Sequence, residues 1–385
     1  MRRSAQATLE SKVAFLSDPR SHAAHKGRVE VIETHFAWVF LTARHAYKLK
    51  KPQRQSAMDY RTLAARRRGC REELRLNRRL APSVCLAVVP LSTDRCGALT
   101  FGPGVRVEDW LVKMRRLPSA RMLDRALATG TVTDVQFDRV VRRLAKFFRS
   151  ASRHPIDGKS YVRRLRRQIA ANRRELQRFG ARLQQRLVDQ VASAQLECLA
   201  RSRAALAERG AHVVDGHGDL KPEHVCLGPP LCVIDRLEFD SDLRRLDPFE
   251  ELAFLALELE RMGHRDLATQ LLRRSALMCR DNVAGAAIHF YMSHRAATRA
   301  MLAAWHLDDP QFPNARHWIA RAHSYLRDAL RHARRALRLA SRDQLQIRGR
   351  PAVEQGRKGR AVGDAPHGLP NKRSNRQDRE FGLPG

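Results

Sequence analysis

The sequence predicts an α+β protein of two parts with a cleft between them, and three observations carry that prediction. Residues 29–114 alternate short β-branched and aromatic runs with polar turns around one helical stretch. From Pro118 to about residue 340 the apolar positions recur with helical spacing. One apolar β island, residues 213–239, interrupts those helices. A small sheet with a helix, followed by a larger helical region, buries its apolar faces in layers, and binding clefts form between such layers.

The elements follow in order. Strands are expected at 29–34, 38–41 and 45–50, separated by polar turns. A helix over 60–80 places Leu63, Cys70, Leu74, Leu76 and Leu80 near one face. Strands return at 86–91, 98–101 and 107–114, split by Thr93-Asp94 and by Gly102-Pro103-Gly104. Helices are expected at 122–128, 133–150, 161–179 and 183–209, and after the island at 248–262, 267–279, 284–306 and 315–340. From Ser341 the composition turns to Gly, Pro, Arg, Asn and Gln, the mark of a disordered basic tail. The expected organisation is a small lobe over 1–114, a large lobe over 115–340 and a tail over 341–385.

Composition excludes several classes. With 43% hydrophobic and 29% charged residues, the body of this 385-residue chain is globular. No apolar run reaches the ~20 residues of a membrane span, and the amphipathic stretch at 5–16 lacks the apolar core of a signal peptide. Seven cysteines without a C-x-x-C pair suit a reduced cytoplasmic protein with no membrane partner. The formal charge of +33 comes from 62 Arg and 11 Lys spread along the chain. Arg163, Arg164, Arg166, Arg167, Arg173 and Arg174, for example, alternate with Leu165, Ile169 and Leu176 as on a solvated helix face. That field favours anionic partners. Without an RNP motif, zinc finger or aromatic stacking series, nucleic acid is not favoured among them.

The chemistry concentrates in Asp215-Gly-His-Gly-Asp-Leu-Lys-Pro-Glu-His224 and the run that ends at Asp235. Two short apolar strands flank Gly228-Pro229-Pro230, so a hairpin is expected. Pairing symmetric about that turn sets Leu227 opposite Cys232, Val225 opposite Ile234 and His224 opposite Asp235, about 5 Å apart. An imidazole and a carboxylate then meet at the hairpin mouth, with Asp219 and His217 on the loop entering it. Such a set suits a divalent-cation phosphate site, Asp219 accepting a proton from an attacking hydroxyl while Asp235 and His224 hold the ion. Two other roles stay open on these residues alone. Asp219 and His217 serve equally to fix the loop through backbone hydrogen bonds, and His217, Asp219, His224 and Asp235 together also suit a metal phosphohydrolase.

His217-Gly-Asp-Leu-x-x-x-His224 followed by Val233-Ile-Asp235 resembles the catalytic loop and metal strand of the aminoglycoside phosphotransferase family. The wider text, 216–227 with 233–240, is similar to an uncharacterised bacterial branch that often carries a second, P-loop kinase domain. No G-x-x-x-x-G-K-[ST] run occurs in this sequence, so that domain is not expected in it. The resemblance spans most of residues 10–306. It implies a two-lobed protein-kinase-like fold and ATP-dependent transfer of the γ-phosphate to a hydroxyl of a small molecule, assisted by Mg²⁺ or Mn²⁺. By similarity Asp219 is the catalytic base, with His217 beside it in the loop, and Asp235 is the principal metal ligand. His224 stands where the wider family has Asn. Mg²⁺ prefers oxygen, so this departure points to Mn²⁺ or Zn²⁺, to a phosphate contact, or to impaired transfer.

The resemblance also marks a nucleotide side. Ala46-Tyr47-Lys48 is similar to the third-strand Ala-x-Lys of kinases, making Lys48 the phosphate-binding lysine; strand alternation puts Lys50 on the same face as the reserve candidate. Their ion-pair partner is expected to be Glu73 in preference to Glu72, from its place seven residues before Leu80. Residues 109–118 resemble the last small-lobe strand and hinge, with backbone near Met114 against adenine; an amphipathic edge strand reads the same way. Asp247 before Pro248 is a helix N-cap or part of the site. The expected Gly-rich phosphate loop is absent, since residues 34–38 contain no glycine. Arg295 and Arg299, four apart beside His294, form either a solvated basic face or a contact for an acceptor bearing phosphate or carboxylate. His224 and the missing glycines favour an alternative, a catalytically weak kinase-like protein that senses nucleotide or associates with RNA. The acceptor is not readable, although acidic clusters for a polycationic antibiotic are sparse.

Overall fold

The computed structural model describes residues 7–22, 27–55, 58–309 and 314–348. The chain divides into a body, Met1–Arg342, and a second unit, Asp343–Gly385; the body carries every feature below except the end of the last helix. Its first lobe begins with helix α1 (Leu9–Ser17), capped by Thr8. Strands β1 (Glu30–Glu33), β2 (Ala37–Leu41) and β3 (His45–Lys50) follow, then the short pair β4 (Arg54–Gln55) and β5 (Met58–Asp59). Helix α2 (Leu63–Asn77) leads to β6 (Cys85–Thr93), β7 (Leu99–Phe101) and β8 (Arg106–Arg115). Six strands form one sheet in the order β1-β2-β3-β8-β6-β7, with every pairing antiparallel. The lysine strand β3 therefore lies inside the sheet, between β2 and β8. Strand β8 is also internal, so residues 109–114 are no edge strand.

Helix α2 buries Arg66, Cys70, Glu73, Leu76 and Asn77 at helical spacing. Two of these are charged, and each is matched. Arg66 donates to Asp109 Oδ1 at 2.7 Å, and Asp109 Oδ2 also receives Lys12 of α1 at 2.9 Å. This pins α1, α2 and β8 together and fixes the rotation of α2, which turns Glu73 inward while Glu72 faces out to Arg75.

The larger lobe contains α3 (Leu123–Ala128), α4 (Asp134–Arg149), α5 (Gly158–Gln177), α6 (Gln185–Arg201) and α7 (Arg203–Glu208). The island follows as β9 (Val214–Asp215), β10 (Val225–Cys226), β11 (Cys232–Val233) and β12 (Arg245–Leu246). Helices α8 (Pro248–Arg261), α9 (Arg265–Cys279), α10 (Gly285–Trp305) and α11 (Ala315–Arg348) complete it. Helix α8 is buried on nearly every side, Phe249 through Leu257 included, and sits within the main core with α9 and α10 packed against it. Among the described residues no helix is long and apolar enough to cross a membrane.

Three expectations are corrected. The helix expected over 183–209 breaks at Ser202, whose backbone (φ −102°, ψ 22°) leaves the helix between α6 and α7. The hairpin register is one residue off: Val225 pairs with Val233 and Cys226 with Cys232. A five-residue loop centred on Pro229 closes it, so the symmetry axis falls on a residue and not between two. Finally, the last helix runs on to Arg348, past the expected start of the tail at Ser341; the rest of that tail lies outside the described residues.

Candidate active site

The loop between β9 and β10 is shaped from below by Glu251, near the start of α8. Its carboxylate accepts from His217 N at 2.7 Å and from Gly218 N. Gly218 takes φ +92°, and a Cβ there would meet Leu237 at 2.9 Å; a Cβ on Gly216 would collide with Glu251. Both glycines are thus required by close backbone approach. Asp247 caps α8 by accepting from Phe249 N, and its carboxylate takes a bidentate pair from Arg209 at 2.7 Å and 2.7 Å and a bond from Tyr291 at 2.8 Å. It belongs to the helix start and not to the cleft.

His217 is fully buried. Its Nε2 lies 2.9 Å from Ile234 O, and its Nδ1 accepts from Asp219 N at 3.3 Å, which sets the Nε2–H tautomer. Burial, with His224 nearby, lowers its pKa to about 3, so it stays neutral. His217 therefore ties the loop to the segment that leads into Asp235 and orients Asp219. Asp219 presents its carboxylate beside Lys221, 3.2 Å away. Burial opposes its charge, but Lys221, His224 and Arg299 outweigh it and hold the carboxyl at about 2.

His224 bridges the two acids despite the shifted register. Its Nδ1 lies 2.9 Å from Asp219 O, and its Nε2 lies 3.5 Å from Asp235 Oδ2. A ring that donates through Nδ1 points its Nε2 lone pair at a carboxylate, an arrangement that needs a cation or a proton between them. Asp235 itself has φ 63°, a left-handed backbone that Asp tolerates and branched residues do not. Among the described residues no three His, Cys, Asp or Glu side chains gather into a metal cage. One carboxylate and one imidazole fit a cation whose remaining ligands come from nucleotide phosphates and water.

Across the cleft, Lys48 Nζ lies 2.7 Å from Asp235 Oδ1 and 3.0 Å from Glu73 Oε1. Lys50 Nζ lies 2.5 Å from Glu73 Oε2 and pairs also with Glu238, which accepts from Tyr60 OH. The two lysines share Glu73 but differ in surroundings. Lys50 is enclosed, whereas Lys48 opens towards Asp235. Burial alone would depress both ammonium groups; Asp235 and Glu73 outweigh it for Lys48, Glu238 and Glu73 for Lys50, so both are raised. Asp235 is lowered in turn, Lys48 and His224 overcoming its burial.

The remaining candidates frame the cleft. Met114 sits in the ladder opposite Ala46 and Cys85, with its side chain packed against the buried cluster of Ala81, Val84, Cys85, Cys226 and Cys232. The turn between β1 and β2 is closed by its own bonds, Thr34 N to Ala37 O and Ala37 N to Thr34 Oγ1, so Thr34 is committed there. His35 of that turn reaches Asp309 at 3.0 Å, and Phe36 meets Phe239 at 5.8 Å between ring centroids. Sequence reasoning missed Glu251, Lys221 and the burial of the Arg295–Arg299 face, which is not solvated: Arg295 pairs with Glu250 at 3.1 Å and Arg299 packs between Phe254 and Tyr325. The signal for Lys221 was its place two residues after Asp219; Glu251 had none beyond its position near a helix start.

No family model matches the chain. Uncharacterised proteins of Mycobacterium tuberculosis and Mycobacterium bovis are 31% identical over 283 residues, 71% of this chain and 54% of theirs. The chain thus spans about half the length of these curated relatives. An aminoglycoside phosphotransferase solved with GDP and kanamycin superposes with a TM-score of 0.48 at 13% identity, covering 83% of this chain and 97% of its own. A choline kinase from Cryptosporidium parvum gives 0.50 at 11% identity, covering 88% of this chain and 98% of its own. This is the two-lobed protein-kinase-like fold. In the kinase-like frame, Lys48 and Glu73 lie in the sheet lobe, and Asp219, His224 and Asp235 lie on the facing island of the helical lobe.

Proposed function

We propose that the chain is an ATP-dependent phosphotransferase that moves the γ-phosphoryl group to a hydroxyl of a small molecule. The fold assigns no activity by itself. One observation carries the reading: His224 lies between Asp219 and Asp235, its Nδ1 on the Asp219 main-chain carbonyl and its Nε2 3.5 Å from the Asp235 carboxylate, while Lys48 reaches Asp235 from the opposite lobe. Nucleotide binds against residues 1–114, with Lys48 on its phosphates, Glu73 holding that lysine and the base near Met114. The acceptor enters from residues 115–340. Asp219, ionised at neutral pH, takes the hydroxyl proton as the acceptor oxygen bonds to Pγ and the bond from Pγ to the leaving β-phosphate oxygen breaks, releasing ADP. Lys221, beside Asp219, faces the charge that builds on the moving group. A Mg²⁺ or Mn²⁺ ion held by Asp235 and His224 would neutralise phosphate charge. The seven cysteines are free thiols, which suits a reducing cytoplasm.

The test is thermal unfolding with ATP, with and without Mg²⁺ or Mn²⁺, followed by γ-phosphate transfer to a panel of hydroxylated metabolites. ATP protects only when a divalent ion is present. Asp219→Ala abolishes transfer and leaves nucleotide affinity nearly intact; equal turnover by this variant refutes its role as base. A second reading, nucleotide binding without efficient transfer, is favoured by the imidazole at position 224 and by the self-closed turn at Thr34. Protection by ATP and Mn²⁺ with no transfer to any acceptor selects it.

A further inference from the structure

A cavity of about 770 Å³ opens between α5, α10, residues 242–246 and His35. It adjoins the catalytic loop. Glu250 lines it while the next residue, Glu251, holds the loop backbone. On α10, Arg295 lines it, and Arg299, one turn further on, lies near enough to Asp219 to depress its carboxyl.

The charges in this cavity are unequally matched. Its five carboxylates all face a basic partner: Glu175 has Arg178, Asp242 has Arg245, Glu250 has Arg295, Asp308 has Arg182 and Asp309 has His35. Arg164 is different. Its Nη2 donates to the carbonyl of Asp242 at 3.2 Å, and it enters no ion pair among the described residues. Buried polar atoms are also left over. His294 Nε2, in a residue 3% exposed, and Arg295 Nη2 have no hydrogen-bond partner, while His294 Nδ1 lies 3.8 Å from Glu250; on the facing helix the acceptor Gln168 Oε1 is also unpartnered. Buried polar groups are nearly always satisfied, so orphaned polar atoms clustered on a cavity wall indicate what the cavity is shaped to hold. A polycation would need uncompensated carboxylates, and four of the five here are already paired with arginine.

Resting on the phosphotransferase reading, we propose that this cavity is the acceptor site and that the acceptor is a hydroxylated organic anion. Its carboxylate or phosphate lies against Arg164, His294 and Arg295, and a hydroxyl donates to Gln168 Oε1. The positive field of the whole chain steers such a molecule inward.

Four six-carbon sugar probes separate the charges: gluconate, glucose 6-phosphate, glucose and glucosamine, each titrated calorimetrically into the full chain without nucleotide. Gluconate or glucose 6-phosphate binds, the first alone marking a carboxylate site and the second alone a phosphate site. Glucose and glucosamine bind at least about tenfold more weakly, and Arg164→Ala costs the anion about tenfold, equivalent to ~1.4 kcal/mol. Arg164→Lys recovers part of that loss. Tighter binding of glucosamine, no binding of either anion, or full anion affinity in Arg164→Ala overturns the assignment. Because binding is read without ATP, its failure is separable from that of the phosphotransferase reading. Anion binding without transfer leaves the cavity assigned and removes the activity, whereas transfer to glucose or glucosamine alone keeps the activity and removes the anion site.

Discussion

Replacing Lys50 by methionine tests whether the two lysines of β3 have the separate duties that their surroundings indicate. The Lys50 side chain is 2% exposed, and its partners Glu73 and Glu238 are 4% and 9% exposed. Removing the cation leaves two carboxylates facing each other in a closed space, with Tyr60 as the remaining donor to Glu238. Taking one member from a buried ionic set costs about 3–5 kcal/mol, because the other charge stays uncompensated. Glu73 keeps Lys48 at 3.0 Å, which places the loss towards the lower end. Adding Glu238→Gln removes the orphaned charge, so the double variant is more stable than Lys50→Met alone, with a coupling of about 0.5–3 kcal/mol. Urea unfolding followed by circular dichroism measures both. Lys48→Met changes stability less but abolishes protection by metal-bound ATP, since Lys48 is the more open of the two and faces Asp235. A Lys50→Met protein within about 0.5 kcal/mol of the parent, the range of an ordinary surface substitution, refutes the division of labour. So does a larger destabilisation by Lys48→Met.

Glu251→Gln leaves one of two backbone N–H groups, those of His217 and Gly218, facing an amide instead of an oxygen. The expected outcome is a loss of about 1–3 kcal/mol at low pH, with turnover reduced more than nucleotide affinity. The same residue sets a pH slope: burial, only partly offset by the two N–H donors, raises its carboxyl from 4.5 to about 7. A raised carboxyl contributes stability that is complete below about pH 4.5 and lost as pH rises through 7, on the order of 3 kcal/mol in all. Unfolding profiles of the parent show this decline, and those of Glu251→Gln lack it. Asp219 and Glu250 have the opposite sign: both are held at about 2, so the stability they give is present above pH 4 to 4.5 and disappears as pH falls through 2. His224→Asn replaces the imidazole nitrogen with an oxygen ligand and shifts metal preference in transfer assays from Mn²⁺ towards Mg²⁺; an unchanged Mn²⁺ to Mg²⁺ ratio removes His224 from the metal.

Much of this arrangement was legible because its signals are local. The six strands of the sheet announce themselves by β-branched and aromatic runs separated by polar turns, and α2 by its apolar period. Glu73 rather than Glu72 faces inward for a reason the sequence holds only indirectly: rotation of α2 is fixed by Arg66 on Asp109, a contact 43 residues apart. The hairpin register was misread because symmetry about Gly-Pro-Pro assumed an even loop, and five residues close it. His224 still meets Asp235, since the strand pairing ends before either residue and side-chain reach makes up the difference. The Arg295–Arg299 face reads two ways in the sequence because an Arg-rich helix face looks alike whether it meets water or buried carboxylates. Glu250, its partner, is 45 residues away in the chain.

The left-handed backbone at Asp235 restricts how its chemistry can be probed. Only glycine, asparagine and aspartate occupy that conformation readily; a side chain without a polar tip adds roughly 1–2 kcal/mol of local strain before any ligand is lost. An alanine variant therefore mixes two injuries, a missing oxygen and a bent main chain. Asparagine preserves the shape and alters only the charge, which makes Asp235→Asn the informative replacement and limits natural drift at this position to a very short alphabet.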